Sequence, residues 1–151
     1  MKKYFNMILC AAAVMLGVNS CDYDDAAVKG TCEYTVKVTC VSSNTNGGEA
    51  IMAIDKKIDD EMMKFGRSWT AKWGGKTEED GLKKADIANT TLFALDVTAI
   101  KNVVEKLQEE LKAGNYGENA ALSRRYEVVL MRDGKELAGT KQYFDFSFPA
   151  N

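Results

Sequence analysis

The chain has 151 residues, with 20 Lys plus Arg against 22 Asp plus Glu, no histidine, one proline and four cysteines, a length that suits one ordinary domain and not two. At 46% hydrophobic and 28% charged, its composition is that of a globular protein, neither a disordered chain nor a multi-span membrane protein. The missing histidine excludes every mechanism that needs imidazole as base, proton shuttle or metal ligand.

Lys2 and Lys3 give the chain a basic start, and residues 7 to 18 (MILCAAAVMLGV) are apolar and uncharged. That run is too short for a membrane span, which needs about 20 residues. It ends in Val18-Asn19-Ser20-Cys21, followed at once by Asp22-Tyr23-Asp24-Asp25. This arrangement resembles a bacterial lipoprotein signal, in which a lipobox of the form Leu-small-small-Cys is cut before the cysteine and the thiol is diacylated. The resemblance covers the amino-terminal twenty-five residues. It implies removal of residues 1–20, lipid on Cys21, and a membrane as partner through that lipid. Asp22, Asp24 and Asp25 look like the export signal that sends lipoproteins to the outer face of the outer membrane in some Gram-negative bacteria. A periplasm-facing position is the alternative.

Processing leaves 18 basic and 22 acidic groups, a net charge of 18 minus 22, or −4. Nucleic acid and anionic lipid are held mainly by Lys and Arg, so neither is expected as a partner. Residues 21–31 read as the lipidated cysteine and an acidic tether, and residues 32–151 as a single domain.

From Cys32 to Val41 the chain alternates, with Cys32, Tyr34, Val36, Val38 and Cys40 on one face and Glu33, Thr35, Lys37 and Thr39 on the other. That is the pattern of a half-buried strand. Eight residues of strand hold the two cysteines roughly 26 Å apart at about 3.3 Å each, so they cannot bridge each other. Ser42 to Gly48 reads as a loop that caps a helix. The helix runs from about Glu49 to Phe65, with Ile51, Ile54, Ile58, Met62 and Phe65 on one side and Gly66 as its stop. Asp55, Asp59 and Asp60 lie on its other side, without the loop spacing and glycine of an EF-hand, and read as a solvated face.

Arg67 to Lys76 (RSWTAKWGGK) reads as a connection carrying both tryptophans, Trp69 and Trp73. Two indoles four residues apart can form a stacking platform for a partner, or fold back as lids on the core. Thr77 before Glu78, Glu79 and Asp80 marks a helix start. Residues 81–95 are ambiguous between helix and extended chain. A further helix is expected from Asp96 as its cap, with Val97, Ile100, Val104, Leu107 and Leu111 inward, to Gly114.

The chain closes on a hairpin, about Leu122 to Met131 and Glu136 to Phe148, through Arg132-Asp133-Gly134. A two-residue turn pairs Arg132 with Lys135, while a three-residue loop pairs Met131 with Lys135. The second register puts Tyr126, Val128 and Leu130 on one face with Phe144, Phe146 and Phe148, and sets Leu122 opposite Phe144, without a bulge. It is therefore the one expected. Its other face would gather Val129, Met131, Leu137 and Tyr143.

The expected fold is α+β, a three-stranded antiparallel sheet with two or three helices on one face in the order β-α-α-(α)-β-β. No nucleophile elbow is present, since Gly66-Arg67-Ser68-Trp69-Thr70 ends in Thr. Phosphate loops, redox cysteine pairs and zinc ligand sets are equally missing from the sequence. No catalytic residue, metal or cofactor is expected. The reading is a membrane-anchored, non-catalytic binding or accessory module for a protein or glycan partner. Its candidate contacts are Trp69, Trp73, Val129, Met131, Leu137 and Tyr143. Alternatives are an assembly protein that self-associates or docks on an envelope complex, and a hydrolase built on convergent carboxylates.

Overall fold

The computed structural model describes residues 26–149. The signal, Cys21 and the acids Asp22, Asp24 and Asp25 lie outside the described residues. The elements in chain order are β1 (Val28–Asn46), α1 (Glu49–Met63), β2 (Arg67–Gly75), α2 (Glu78–Ala113), β3 (Ala121–Arg132), β4 (Lys135–Glu136) and β5 (Gln142–Phe148). The α+β class is as expected. Among the described residues there are two helices and one antiparallel sheet of five strands, larger than the three-stranded sheet that the sequence suggested. Its order is β2-β1-β3, with both β4 and β5 paired to the far side of β3.

β1 buries Cys32, Tyr34, Val36 and Val38 by strict alternation. Cys32 is buried, Cys40 half-buried, and both are free thiols. The expected loop at Ser42 is instead a continuation of β1, because Ser42 to Asn46 pairs with Arg125 to Ala121. A register shift between Cys40 and Ser42 is a bulge at Val41. It reverses which parity faces the helices, and so turns Thr45 toward α1. Only Gly47 and Gly48 remain for the turn, and Gly48 caps α1 with no side-chain bond. α1 buries Ile51, Ile54, Ile58 and Met62, the stripe its spacing predicts.

The expected connection at Arg67 to Lys76 is the strand β2. It pairs with β1 without interruption from Val28↔Gly75 to Val36↔Arg67. Trp69, Ala71 and Trp73 alternate toward the core and Ser68, Thr70 and Lys72 away from it. The two helices expected after Thr77 are one helix of 36 residues, about 54 Å long at 1.5 Å per residue. Thr77 is its cap, accepting from the Asp80 N–H at 3.1 Å. Asp96 is not a cap but a mid-helix residue. Two of the residues that left 81–95 ambiguous are satisfied inside the helix: Asn89 and Thr91 donate to the carbonyls of Ala85 and Ile87 at 2.7 and 3.0 Å, as Thr98 does to Ala94 at 2.9 Å.

The closing hairpin takes the turn that the expected register rejected. Asp133 and Gly134 have φ of 47° and 76°, the left-handed pair of a two-residue primed turn, and Arg132 pairs with Lys135. The register is then reset by the segment Leu137 to Lys141. The Leu137 N–H donates to the Leu130 carbonyl at 2.9 Å, and buried Thr140 donates its hydroxyl to the Leu137 carbonyl at 2.7 Å. β5 resumes with Val128↔Gln142 and Tyr126↔Phe144. The phenylalanines do share the core face of β3, but Leu122 lies opposite Phe148 and not Phe144. Both helices pack on one face of the sheet, over a single core that includes Tyr34, Ile58, Ile100, Tyr126, Leu130 and Phe146.

Candidate functional site

Three polar clusters fasten the helices to the sheet. In the first, Arg124 of β3 reaches α1. Its Nε donates to Asp55 Oδ1, its Nη2 to Asp55 Oδ2 at 3.2 Å, and its Nη1 to Asp59 Oδ1 at 2.9 Å and to the Tyr126 hydroxyl at 3.0 Å. Tyr126 donates to Asp59 at 2.8 Å, and Thr45, brought inward by the bulge, donates to Asp55 at 2.8 Å. Hydrogen bonding to Asp55 pushes the Arg124 guanidinium above its ordinary pKa. Burial, then the bond to Asp59, raises the Tyr126 phenol. Asp55 and Asp59 therefore do not form the solvated face expected of them. Asp60 does, paired at the surface with Lys56 at 2.6 Å.

In the second cluster Tyr34 donates to Asp86 Oδ1 at 2.7 Å and Arg132 donates to Asp86 Oδ2. Burial first, and the Asp86 bond second, raise the Tyr34 phenol. Outside it lies an open cleft of about 560 Å³ between the start of α2 and the end of β3, lined by Glu78, Glu79, Leu82, Lys83, Asp86 and Arg132. In the third, Arg67 donates to Asp96 at 2.8 Å and lies 4.4 Å from the centre of the Trp69 ring. The Trp69 indole donates to Asn89 at 2.9 Å and stacks on Tyr34 at 5.9 Å. Burial raises the Asp96 carboxyl, and the Arg67 hydrogen bond opposes it. Among the described residues no three His, Cys, Asp or Glu are grouped to hold a metal ion, and no helix is long and apolar enough to cross a membrane.

The opposite face of the sheet carries no described helix. Thr31, Glu33, Thr35, Lys37 and Thr39 of β1 point there, with Ser68, Thr70 and Lys72 of β2 and Arg125 and Glu127 of β3 beside them. Tyr143 of β5 stands at one side, 51% exposed. Its hydroxyl donates to Glu127 at 3.0 Å, and the Arg125 guanidinium lies 5.5 Å from its ring. Arg125 also forms a two-pronged pair with Asp145 at 2.7 and 3.0 Å, and Lys141 lies 3.5 Å from Glu127.

No family model, curated protein or solved structure matches the chain.

The candidate contacts named from the sequence do not form one surface. Trp73 is buried at 8% exposure, and Trp69 is half-buried under α2 with its indole N–H already bonded. Both face the core because β2 is a strand, so the proposed platform of two free indoles is not what the fold presents. Val129 is 2% exposed and Met131 half-buried, and Leu137 packs against the core, turned there by the reset after β4. Tyr143 alone of the six stands open. The charged groups around it, Arg125, Glu127, Lys141 and Asp145, were not singled out from the sequence. Their alternation with Tyr126, Val128, Phe144 and Phe146 was the available signal.

Proposed function

We propose that the protein is a small lipoprotein, held to the membrane by lipid on Cys21 and displayed at the cell surface through Asp22, Asp24 and Asp25. Its domain acts as a non-catalytic binding or accessory module for a protein or glycan partner. The observation that carries the reading is the sheet face that no described helix covers. There an exposed aromatic ring stands among paired charges, a mixture of apolar area and hydrogen-bonding groups suited to a sugar ring or a peptide. The short tether supports it. β1 begins at Val28, seven residues after Cys21, and seven residues reach at most about 25 Å, which would hold the Val28 end of the sheet close to the bilayer.

Two experiments test the two halves of the proposal. A Cys21→Ala chain should go unprocessed; if it is processed and sediments with membranes as before, the anchor is not lipid on Cys21. For the module, the anchored protein is used as bait on intact cells beside a Tyr143→Ala form. The expected result is a partner recovered by the first and lost with the second. Equal recovery by both would remove the sheet face as the site.

A further inference from the structure

The solvent side of α2 changes character along its length. Between Lys84 and Lys101 its exposed residues are Ile87, Thr90, Thr91, Ala94, Leu95 and Thr98, all uncharged, with Ile87 63% and Leu95 44% exposed. Their spacing by three and four sets them in one stripe, about 17 Å long at 1.5 Å per residue. The two acids of this stretch turn inward, Asp86 to Tyr34 and Arg132, and Asp96 to Arg67. The Thr91 and Thr98 hydroxyls donate to the carbonyls of Ile87 and Ala94 at 3.0 and 2.9 Å, so neither needs an outside acceptor. Beyond the stripe the same side of the helix is charged, with Lys101, Glu105 and Glu109 exposed. The exposed side of α1 carries Lys56, Lys57, Asp60 and Lys64.

The uncharged half of α2 is the half nearer the tether. Gly75 at the end of β2 pairs with Val28, and α2 begins three residues later at Glu78. Ile87 follows about 14 Å along the helix, while the seven residues from Cys21 to Val28 reach at most about 25 Å. In the turn before the stripe, Asp80 and Lys84 pair with each other at 3.2 Å. Lys83 at one end and Lys101 at the other then bound the stripe with long aliphatic stems, which let a charge stand in a headgroup layer beside a buried apolar strip.

We infer that the stripe from Ile87 to Thr98 rests on the lipid surface that holds the protein, with α2 lying along it. This rests on the anchor at Cys21 proposed above. The anchor keeps the stripe beside the bilayer at high local concentration, so an apolar contact too shallow to bind a free protein is enough to orient a tethered one. The occupant is a bilayer and not a folded partner, since the stripe carries no charge to choose one and lies where the tether places lipid. Both helices pack on one face of the sheet, so the contact turns the opposite face, with Tyr143, away from the membrane.

The test uses the full lipidated chain, its lipid verified by mass, in phosphatidylcholine vesicles. In a Cys40→Ser background, an environment-sensitive fluorophore on Thr91→Cys should emit to the blue and be quenched by spin-labelled lipid. The same fluorophore on Tyr143→Cys should emit as in water and be quenched by iodide. Ile87→Glu together with Leu95→Glu, both at exposed helix positions, should return the emission at residue 91 to that of water with the chain still on the vesicles. A lipidated chain whose fluorophore at residue 91 emits as in water, or keeps its blue emission after both glutamates, overturns the inference and leaves the anchor standing. So does a lipid-quenched fluorophore at residue 143. A chain without lipid on Cys21 overturns the anchor, and this inference with it.

Discussion

Arg124 holds two carboxylates of one helix and the phenol of its own strand neighbour in a single fork, with its side chain 14% exposed and that of Asp55 15%. Removing the guanidinium leaves both acids without their counter-charge. Arg124→Met should therefore cost about 3 kcal/mol, the lower end for breaking a largely buried pair, read as a drop in the urea midpoint. Adding Asp55→Asn should then cost little more, because the charge it removes is the one already orphaned. Tyr34 and Tyr126 set a pH dependence of the opposite kind to that of paired acids. Both phenols are raised by burial, so the folded state keeps its protons where the unfolded state releases them. Their contribution to stability is complete below the ordinary tyrosine value of about 10 and is lost as pH rises beyond it. Tyr126→Phe should flatten that alkaline loss, measured as the denaturation midpoint against pH, and an unchanged slope would refute it. At this scale the sequence was half legible. The spacing of Asp55 and Asp59 on α1 was plain, but their partner lies 69 and 65 residues away, and no local pattern announces such a pairing.

The elements differ in how openly they declare themselves. β1 and α1 follow from hydrophobic period alone, since each buries one clean face. β2 has the same period, with Trp69, Ala71 and Trp73 against Ser68, Thr70 and Lys72, but its two glycines at the end and its polar outer residues imitate a loop. α2 looked like two helices because Asn89, Thr90 and Thr91 favour other conformations. Tertiary contacts decide the matter: Trp69 bonds Asn89 within the doubtful stretch, and Arg67 bonds Asp96 just after it. The meeting of β2 with the start of α2 depends on a missing side chain. A Cβ on Gly81 would sit 2.6 Å from the Trp73 ring and 3.1 Å from the Gly74 backbone, and Gly30 crowds the same ring on its other side. Gly81→Ala gains helix propensity of under about 1 kcal/mol yet overpacks this contact, with typical costs of about 1–3 kcal/mol. The net should be destabilisation, seen as a lower melting temperature together with altered Trp73 fluorescence. A stabilised variant would show that the indole has room to move.

For the molecule as a whole, the class, the position of the helices on one face and the inward phenylalanines were readable, because each rests on alternation or on a helical stripe. The strand number was not, since β2 had been given to a loop and the hairpin splits into β4 and β5. The order of the sheet was beyond the sequence altogether, because it depends on which edges meet. The long helix now gives that sheet a mechanical property. α2 is tied to the first edge strand through Trp69 and Arg67 and to the last through Gln108 and Ser147. A single rigid element thus spans from one edge of the sheet to the other, and neither edge can open while the helix holds. Amide exchange at rising denaturant should show β2 and β5 losing protection at one common midpoint, and earlier release of either strand would refute this. On this arrangement the domain should behave as one cooperative folding unit whose two margins communicate through α2, and a load applied at Val28, beside the end of β2, should be shared with the far strand through that helix.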